Sequence, residues 1–153
     1  MFAVEKMTEE MRSEVLPMVD AFYQSDAVSH PVEQEKREKT FEDAVSGDPV
    51  LEGYVLKEDG RIIGFAYVTV YYACEVGGRC LMFEELYLKE EARGKGLGTR
   101  FLETIIKERS EIQRFRLEVS KANEKAVHLY RRLGFDFLDY DQMVLDRQRR
   151  NGQ

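Results

Sequence analysis

Glu85-Leu86-Tyr87-Leu88-Lys89-Glu90-Glu91-Ala92-Arg93-Gly94-Lys95-Gly96-Leu97-Gly98-Thr99 joins a β-rich run, Cys80 to Leu88, to a helical one carrying Leu97, Phe101, Leu102, Ile105 and Ile106. Gly94, Gly96 and Gly98 stand at alternate positions in the junction. Glycine lets backbone approach a ligand closely and turn its N–H groups inward. The helix that follows adds the positive end of its dipole. Strand, glycine turn and helix in that order therefore predict a seat for a pyrophosphate. Arg93 and Lys95 add two cations there, in a chain whose formal net charge is −6. A dinucleotide site would need a first parallel βαβ unit with an acidic residue after its second strand. A triphosphate loop would close on Gly-Lys-Ser/Thr. Neither pattern is in the sequence.

Working outward, Lys57-Glu58-Asp59-Gly60 splits two β-rich runs, Leu51 to Leu56 and Ile62 to Tyr72, and its Asp-Gly step is a hairpin signal. A Gly77-Gly78 turn leads into the third run, so the three form an antiparallel meander. Upstream, Val4 sits in a short first strand. Met11, Val15, Met18, Val19 and Phe22 recur at helical spacing, with Pro17 as a bend or a late start. A charged helix covers Val32 to Val45. Downstream come a strand at Phe115 to Val119, a helix from Glu124 to Leu133 stopped by Gly134, and closing strands at Phe135 to Phe137 and Met143 to Leu145. Arg147 to Gln153 is polar and expected to fray. The order β-α-α-β-β-β-α-β-α-β-β predicts an α+β fold, a mixed and mostly antiparallel sheet flanked by helices.

With 153 residues, 43% hydrophobic and 34% charged, residues 1–153 read as one globular domain. Net negative charge argues against nucleic acid and mildly favours cationic partners by long-range steering. No signal-peptide core and no apolar run near the ~18 residues of a membrane span is present, so a cytoplasmic protein without membrane attachment is expected. Cys74 and Cys80 lack metal-ligand spacing. Facing each other across a hairpin they could pair, but free thiols and no metal site are the expectation.

Arg93-Gly94-Lys95-Gly96-Leu97-Gly98 resembles the Arg/Gln-x-x-Gly-x-Gly/Ala signature of the GNAT family of N-acetyltransferases. Asn123-Glu124-Lys125-Ala126-Val127-His128-Leu129-Tyr130-Arg131-Arg132-Leu133-Gly134-Phe135 resembles the family's Asn-x-x-Ala-x-x-Leu-Tyr-x-x-x-Gly-Phe stretch. The resemblance is close over the C-terminal half; the N-terminal half agrees in element order. It implies that acetyl-CoA lies along Leu86, Tyr87 and Leu88, with backbone there bonding the pantetheine arm. The amides of Gly94, Lys95, Gly96, Leu97, Gly98 and Thr99, with Arg93, would take the pyrophosphate. It also implies that the strands after Leu88 and Phe115 splay apart around the cofactor, and that Asn123 contacts the pantetheine. Dimers are common in the family, which leaves room for a homodimer.

Acyl transfer to an amine needs a proton acceptor for the ammonium, N–H donors for the oxyanion, and a proton for the departing thiolate. Glu84, Glu85 and Glu118 are the candidate bases. Strand alternation places Glu84 with Leu86 and Leu88, and Glu85 with Phe83 and Tyr87. Phe83-Glu84-Glu85-Leu86-Tyr87-Leu88 resembles the acidic strand of the family's diamine acetyltransferases, which puts Glu84 ahead as base. Leu117-Glu118-Val119 resembles the run that holds the base of ribosomal-protein N-terminal acetyltransferases. Tyr130 matches the tyrosine that serves the family as general acid. The loop holding Asp26 and His30, with Tyr71 and Tyr72, is expected near the acceptor; His128 is expected at a helix surface. The expected activity is acetyl transfer from acetyl-CoA to a small cationic amine. A protein N-terminal or lysine amine is the alternative acceptor, and a non-catalytic acyl-CoA sensor the alternative class.

Overall fold

In the computed structural model residues 1–28 and 30–147 are described; of the polar tail expected to fray, 148–153 lie outside them. The chain divides into two compact units, Met1–Glu118 and the residues from Val119 onward.

The first unit follows the predicted order: β1 (Phe2–Lys6), α1 (Arg12–Tyr23), α2 (Gln34–Val45), β2 (Leu51–Glu58), β3 (Arg61–Ala73), β4 (Gly78–Leu88), α3 (Leu97–Glu108) and β5 (Ile112–Leu117). The sheet order is β1-β2-β3-β4-β5, antiparallel except for the parallel β4–β5 pair. Asp59 and Gly60 both take positive φ, 52° and 81°, the requirement of a two-residue hairpin turn whose twist matches its strands. Helix α1 runs through Pro17 without a break; Pro17 is exposed, which leaves its ring clear of the core. On one sheet face Val15, Met18 and Val19 of α1 and Phe41 of α2 pack with Val55, Phe65 and Tyr67. Against the other face Phe101 of α3 meets Tyr54 and Phe83 edge-on, ring centres 6.1 and 6.0 Å away.

A bulge in β4 alters the predicted strand parity. Tyr67 pairs with Glu85 and Val68 with Phe83, so Glu84 is the extra residue. Phe83 faces α3, whereas Glu85 receives a hydrogen bond from Tyr23 of α1. Plain alternation would put both on one face; the inserted residue puts them on opposite faces. Glu84 also departs from expectation. Its Oε2 accepts from Thr69 Oγ1 at 2.9 Å, and Thr69 alternates with Phe65 and Tyr67 toward α1 and α2. Leu86 and Leu88 remain on the α3 side, each 3.8 Å from where a methyl at Gly98 would stand.

The second unit contains α4 (Glu124–Arg132). Asn123 Oδ1 accepts from the Ala126 N–H at 3.3 Å, an N-cap. At the other end Gly134, with φ 99°, donates to Arg131 O, and Phe135 donates to Tyr130 O, both at 3.0 Å. This pair of bonds with a left-handed glycine is a Schellman stop. The two closing strands do not form among the described residues: 135–146 has no regular structure. Both runs are three residues long and are flanked or broken by Asp136, Asp139 and Asp141, poor strand formers. Phe137 instead lies under two cations, Lys121 and Arg131, at 5.3 and 5.4 Å from its ring centre.

Candidate active site

Two strands that begin together and part create the opening. The β4–β5 ladder ends at Phe83↔Leu117, while β4 continues to Leu88, still paired with β3 through Gly64↔Leu88. From Glu84 to Leu88 the edge turned away from β3 therefore has no β5 partner. Backbone groups on such an edge need other hydrogen-bond partners. Leu86, Tyr87 and Leu88 lie in this stretch, and the bulge sits at its start.

The glycine turn follows directly. Gly94 and Gly96 hold φ of 77° and 76°, and a Cβ at either would meet nothing within 4 Å. Glycine is needed there for conformation, since space is free. Gly96 caps α3, and the first helical bond runs from the Arg100 N–H to Gly96 O at 3.0 Å. The amides of Leu97, Gly98 and Thr99 precede it and have no intrahelical acceptor. Buried Leu97 pins the helix start to the core. Arg93 plays a partly structural role: its Nε donates to Leu88 O at 2.8 Å and its guanidinium lies 5.3 Å from the Tyr87 ring centre. Exposed Lys95 reaches Glu58 at 3.5 Å. An edge without a β5 partner leading into a helix N-terminus suits an elongated ligand with amides along its arm and a pyrophosphate at its end, as coenzyme A has.

On the α1 side of the bulge stands an enclosed carboxyl. Glu85 Oε2 accepts from the Tyr23 hydroxyl; Oε1 is buried and has no partner, and so is the hydroxyl of Tyr67, which pairs across the ladder from Glu85. Burial pushes the Glu85 carboxyl up to about 7; the Tyr23 bond opposes this and the neighbouring Glu84 charge adds to it. The same burial, reinforced by Glu85, keeps the Tyr23 and Tyr67 hydroxyls protonated well above their ordinary range. Glu84 is exposed. Glu118, also exposed, follows the last residue of β5, just past the point where the strands part. The three predicted carboxylates thus fall in one unit, near one fork, in different surroundings.

Tyr130 belongs to the second unit, where its ring meets Phe135 edge-on at 6.0 Å and burial raises its hydroxyl. Asn123 caps α4 through Oδ1, which leaves its side-chain N–H groups for another acceptor. His30, His128 and Asp26 are exposed, as are Tyr71 and Tyr72. Tyr71 accepts from Arg116 at 2.7 Å. Cys80 is buried and Cys74 exposed, both free. Among the described residues no helix is long and apolar enough to cross a membrane, and no cluster of three metal-ligating side chains occurs. Sequence reasoning missed Tyr23 and Tyr67. Both lie in aromatic runs, Phe22-Tyr23 and Phe65-Ala66-Tyr67, that read as plain core, and the bulge that turns Glu85 toward them leaves no mark beyond two adjacent glutamates.

This architecture has known counterparts. A predicted acetyltransferase of Clostridium acetobutylicum, solved with acetyl-CoA, superposes with a TM-score of 0.74 at 18% identity, covering 97% of this chain and 98% of that one. The L-methionine sulfoximine/L-methionine sulfone acetyltransferase of Pseudomonas aeruginosa is 31% identical over 133 residues, 79% of this chain and 74% of that protein. The thialysine N-epsilon-acetyltransferase of Sus scrofa is 41% identical over 79 residues, 48% of this chain and 44% of that protein. The sequence profile of the acetyltransferase (GNAT) family matches residues 16–135. With the fork, the glycine turn and these matches in agreement, the chain is a member of the acetyltransferase (GNAT) family and an acyl-CoA-dependent enzyme.

Proposed function

We propose that this enzyme moves the acetyl group of acetyl-CoA onto the amine of a small cationic molecule, with Glu85 as proton acceptor. The observation that carries the reading is the enclosed Glu85 carboxyl on the strand that leaves the fork, held by the Tyr23 hydroxyl and pushed by burial up to about 7. A base works best when its pKa lies near the operating pH. Glu84, on the same side and exposed, supplies a second negative charge for a cationic acceptor. The relatives named above act on small molecules, methionine sulfoximine or sulfone and thialysine. Their acceptors support a small amine here over a protein terminus.

In this reading the edge at Leu86, Tyr87 and Leu88 holds the pantetheine amides, and the turn from Gly94 to Thr99 with Arg93 and Lys95 holds the pyrophosphate. Asn123 adds a donor to the pantetheine. When bound, acetyl-CoA supplies an activated acyl carbon. The amine N–H bond breaks and its proton passes to the Glu85 carboxylate. The nitrogen lone pair forms the C–N bond, the C–S bond breaks, and sulfur keeps its electron pair. Tyr130, kept protonated by burial, returns a proton to the sulfur. The products are an N-acetyl amine and a free thiol.

Thiol release from acetyl-CoA, followed across a panel of small diamines, amino-acid analogues, aminoglycosides and N-terminal peptides, tests this. Acceptor-dependent release with a small cation, and a mass gain of one acetyl group on that acceptor, is the expected result. Release with peptides alone would point to a protein acceptor. Tight acetyl-CoA binding without release on any acceptor would make the chain a sensor.

A further inference from the structure

Glu85 has two carboxylate oxygens in unlike surroundings. Oε2 is engaged by a hydroxyl from the last residue of α1, Tyr23, and Oε1 is enclosed without a partner. Across the ladder the Tyr67 hydroxyl is likewise enclosed and unpartnered, although its ring is 99% covered. A buried polar atom without a partner costs about 1–3 kcal/mol. Two of them side by side in the ladder, in a chain whose described core otherwise holds no buried polar residue, call for a role. Tyr23 is fixed independently of the carboxyl, since its ring meets Phe22 edge-on at 5.2 Å and Phe22 packs on Phe65.

We propose that Tyr23 is a positioning residue for proton transfer: by donating to Oε2 from the end of α1, it orients the Glu85 carboxyl and sets the pH at which that carboxyl exchanges its proton. The idea rests on Glu85 being the base. Tyr23 acts through Glu85 and touches no reacting atom. The ionisable groups around Glu85 are Tyr23 from α1, Tyr67 from β3 and Glu84 from β4. Of these, Tyr23 is the donor to the carboxylate, and Glu84 is the like charge. A donor favours the ionised form, so removing it raises the pH at which Glu85 gives up its proton; removing the Glu84 charge lowers it.

The test is a 13C-carboxyl NMR titration of the glutamates in the full chain, with Glu85 assigned by its loss in Glu85→Gln, alongside steady-state kinetics. Tyr23→Phe keeps the ring and its packing and deletes only the hydroxyl. Its Glu85 midpoint is expected to rise by about one pH unit or more, from the strength of a hydrogen bond to a charged group. The acceptor kcat should fall while the KM for acetyl-CoA stays within about twofold of the unaltered enzyme. An unmoved midpoint, or a lowered melting temperature with unchanged kcat, would overturn the proposal and leave Tyr23 a structural residue. Full turnover in Glu85→Gln would overturn it differently, by removing the base reading beneath it. If instead Glu85→Gln is slow and Tyr23→Phe is normal in both readouts, the base stands and the positioning role falls alone. A Tyr67→Phe control, which touches neither oxygen's donor, should leave the midpoint below that of Tyr23→Phe; a larger rise there than in Tyr23→Phe would also overturn the assignment.

Discussion

Replacing Glu85 by glutamine should stabilise the protein at alkaline pH and leave it nearly unchanged in acid. Enclosure pushes the carboxyl from an ordinary 4.5 up to about 7 in the folded protein. Below about 4.5 it is protonated in both states and its burial costs no charge. As pH rises through this window the unfolded chain releases the proton first, so stability falls until the folded form has ionised near 7. A difference of about 2.5 in pKa, at 1.36 kcal/mol per unit, amounts to about 3 kcal/mol above neutrality. For a chain of this size that corresponds to roughly 6–12 °C in melting temperature. Glutamine has the same shape, keeps an oxygen for the Tyr23 hydroxyl and carries no charge. Calorimetric melting of both proteins at about pH 5 and about pH 8.5 reads the effect directly. The expected outcome is a small difference in acid and a gain of several degrees for Glu85→Gln in base. Equal melting temperatures at both pH values, or a loss in base, would refute the burial of an ionisable carboxyl at this position.

Three further outcomes follow from the same geometry. Gly96→Ala forces a φ of 76° on a residue with a Cβ at a cost of about 1 kcal/mol and should weaken acetyl-CoA binding in a titration calorimeter, whereas Gly98→Ala meets Leu86 and Leu88 at an ordinary 3.8 Å and should bind normally. Arg109 grips both oxygens of Glu52, at 2.8 and 3.0 Å; Arg109→Ala leaves Oε1 to Lys6 and Tyr54 but takes away the donor to Oε2 of a mostly covered carboxylate, and should lower the melting temperature by a few degrees without altering the acetyl-CoA KM. Tyr130→Phe should cut kcat by at least about tenfold with acetyl-CoA affinity nearly intact, and an unchanged kcat would remove its acid role.

The sequence was informative where a local signal governs the backbone. Asp59-Gly60, Gly94 to Gly98 and Gly134 each mark a left-handed residue, and the structure has turns or helix ends at all three. Apolar periodicity located the helices to within a turn. Alternation failed at Glu84, because a bulge is a property of two strands meeting, and β4 alone does not record which residue its neighbour skips. The same failure hid Tyr23 and Tyr67. Their hydroxyls matter only because the bulge swings Glu85 toward α1. The closing strands are absent among the described residues for a simpler reason: Met143 to Leu145 is apolar, but a run of three residues between Gln142 and Asp146 is too short to make a strand.

The pH dependence of kcat/KM for the unaltered enzyme, Glu84→Gln and Glu85→Gln tests the central claim most directly. The acceptor should be one whose own amine titrates well above the range scanned. The account predicts a rise with pH that inflects near 7 in the unaltered enzyme, moves to lower pH when the Glu84 charge is removed, and disappears with most of the rate in Glu85→Gln. An inflection that survives in Glu85→Gln and vanishes in Glu84→Gln would contradict it, and would move the base to the exposed carboxylate of the pair.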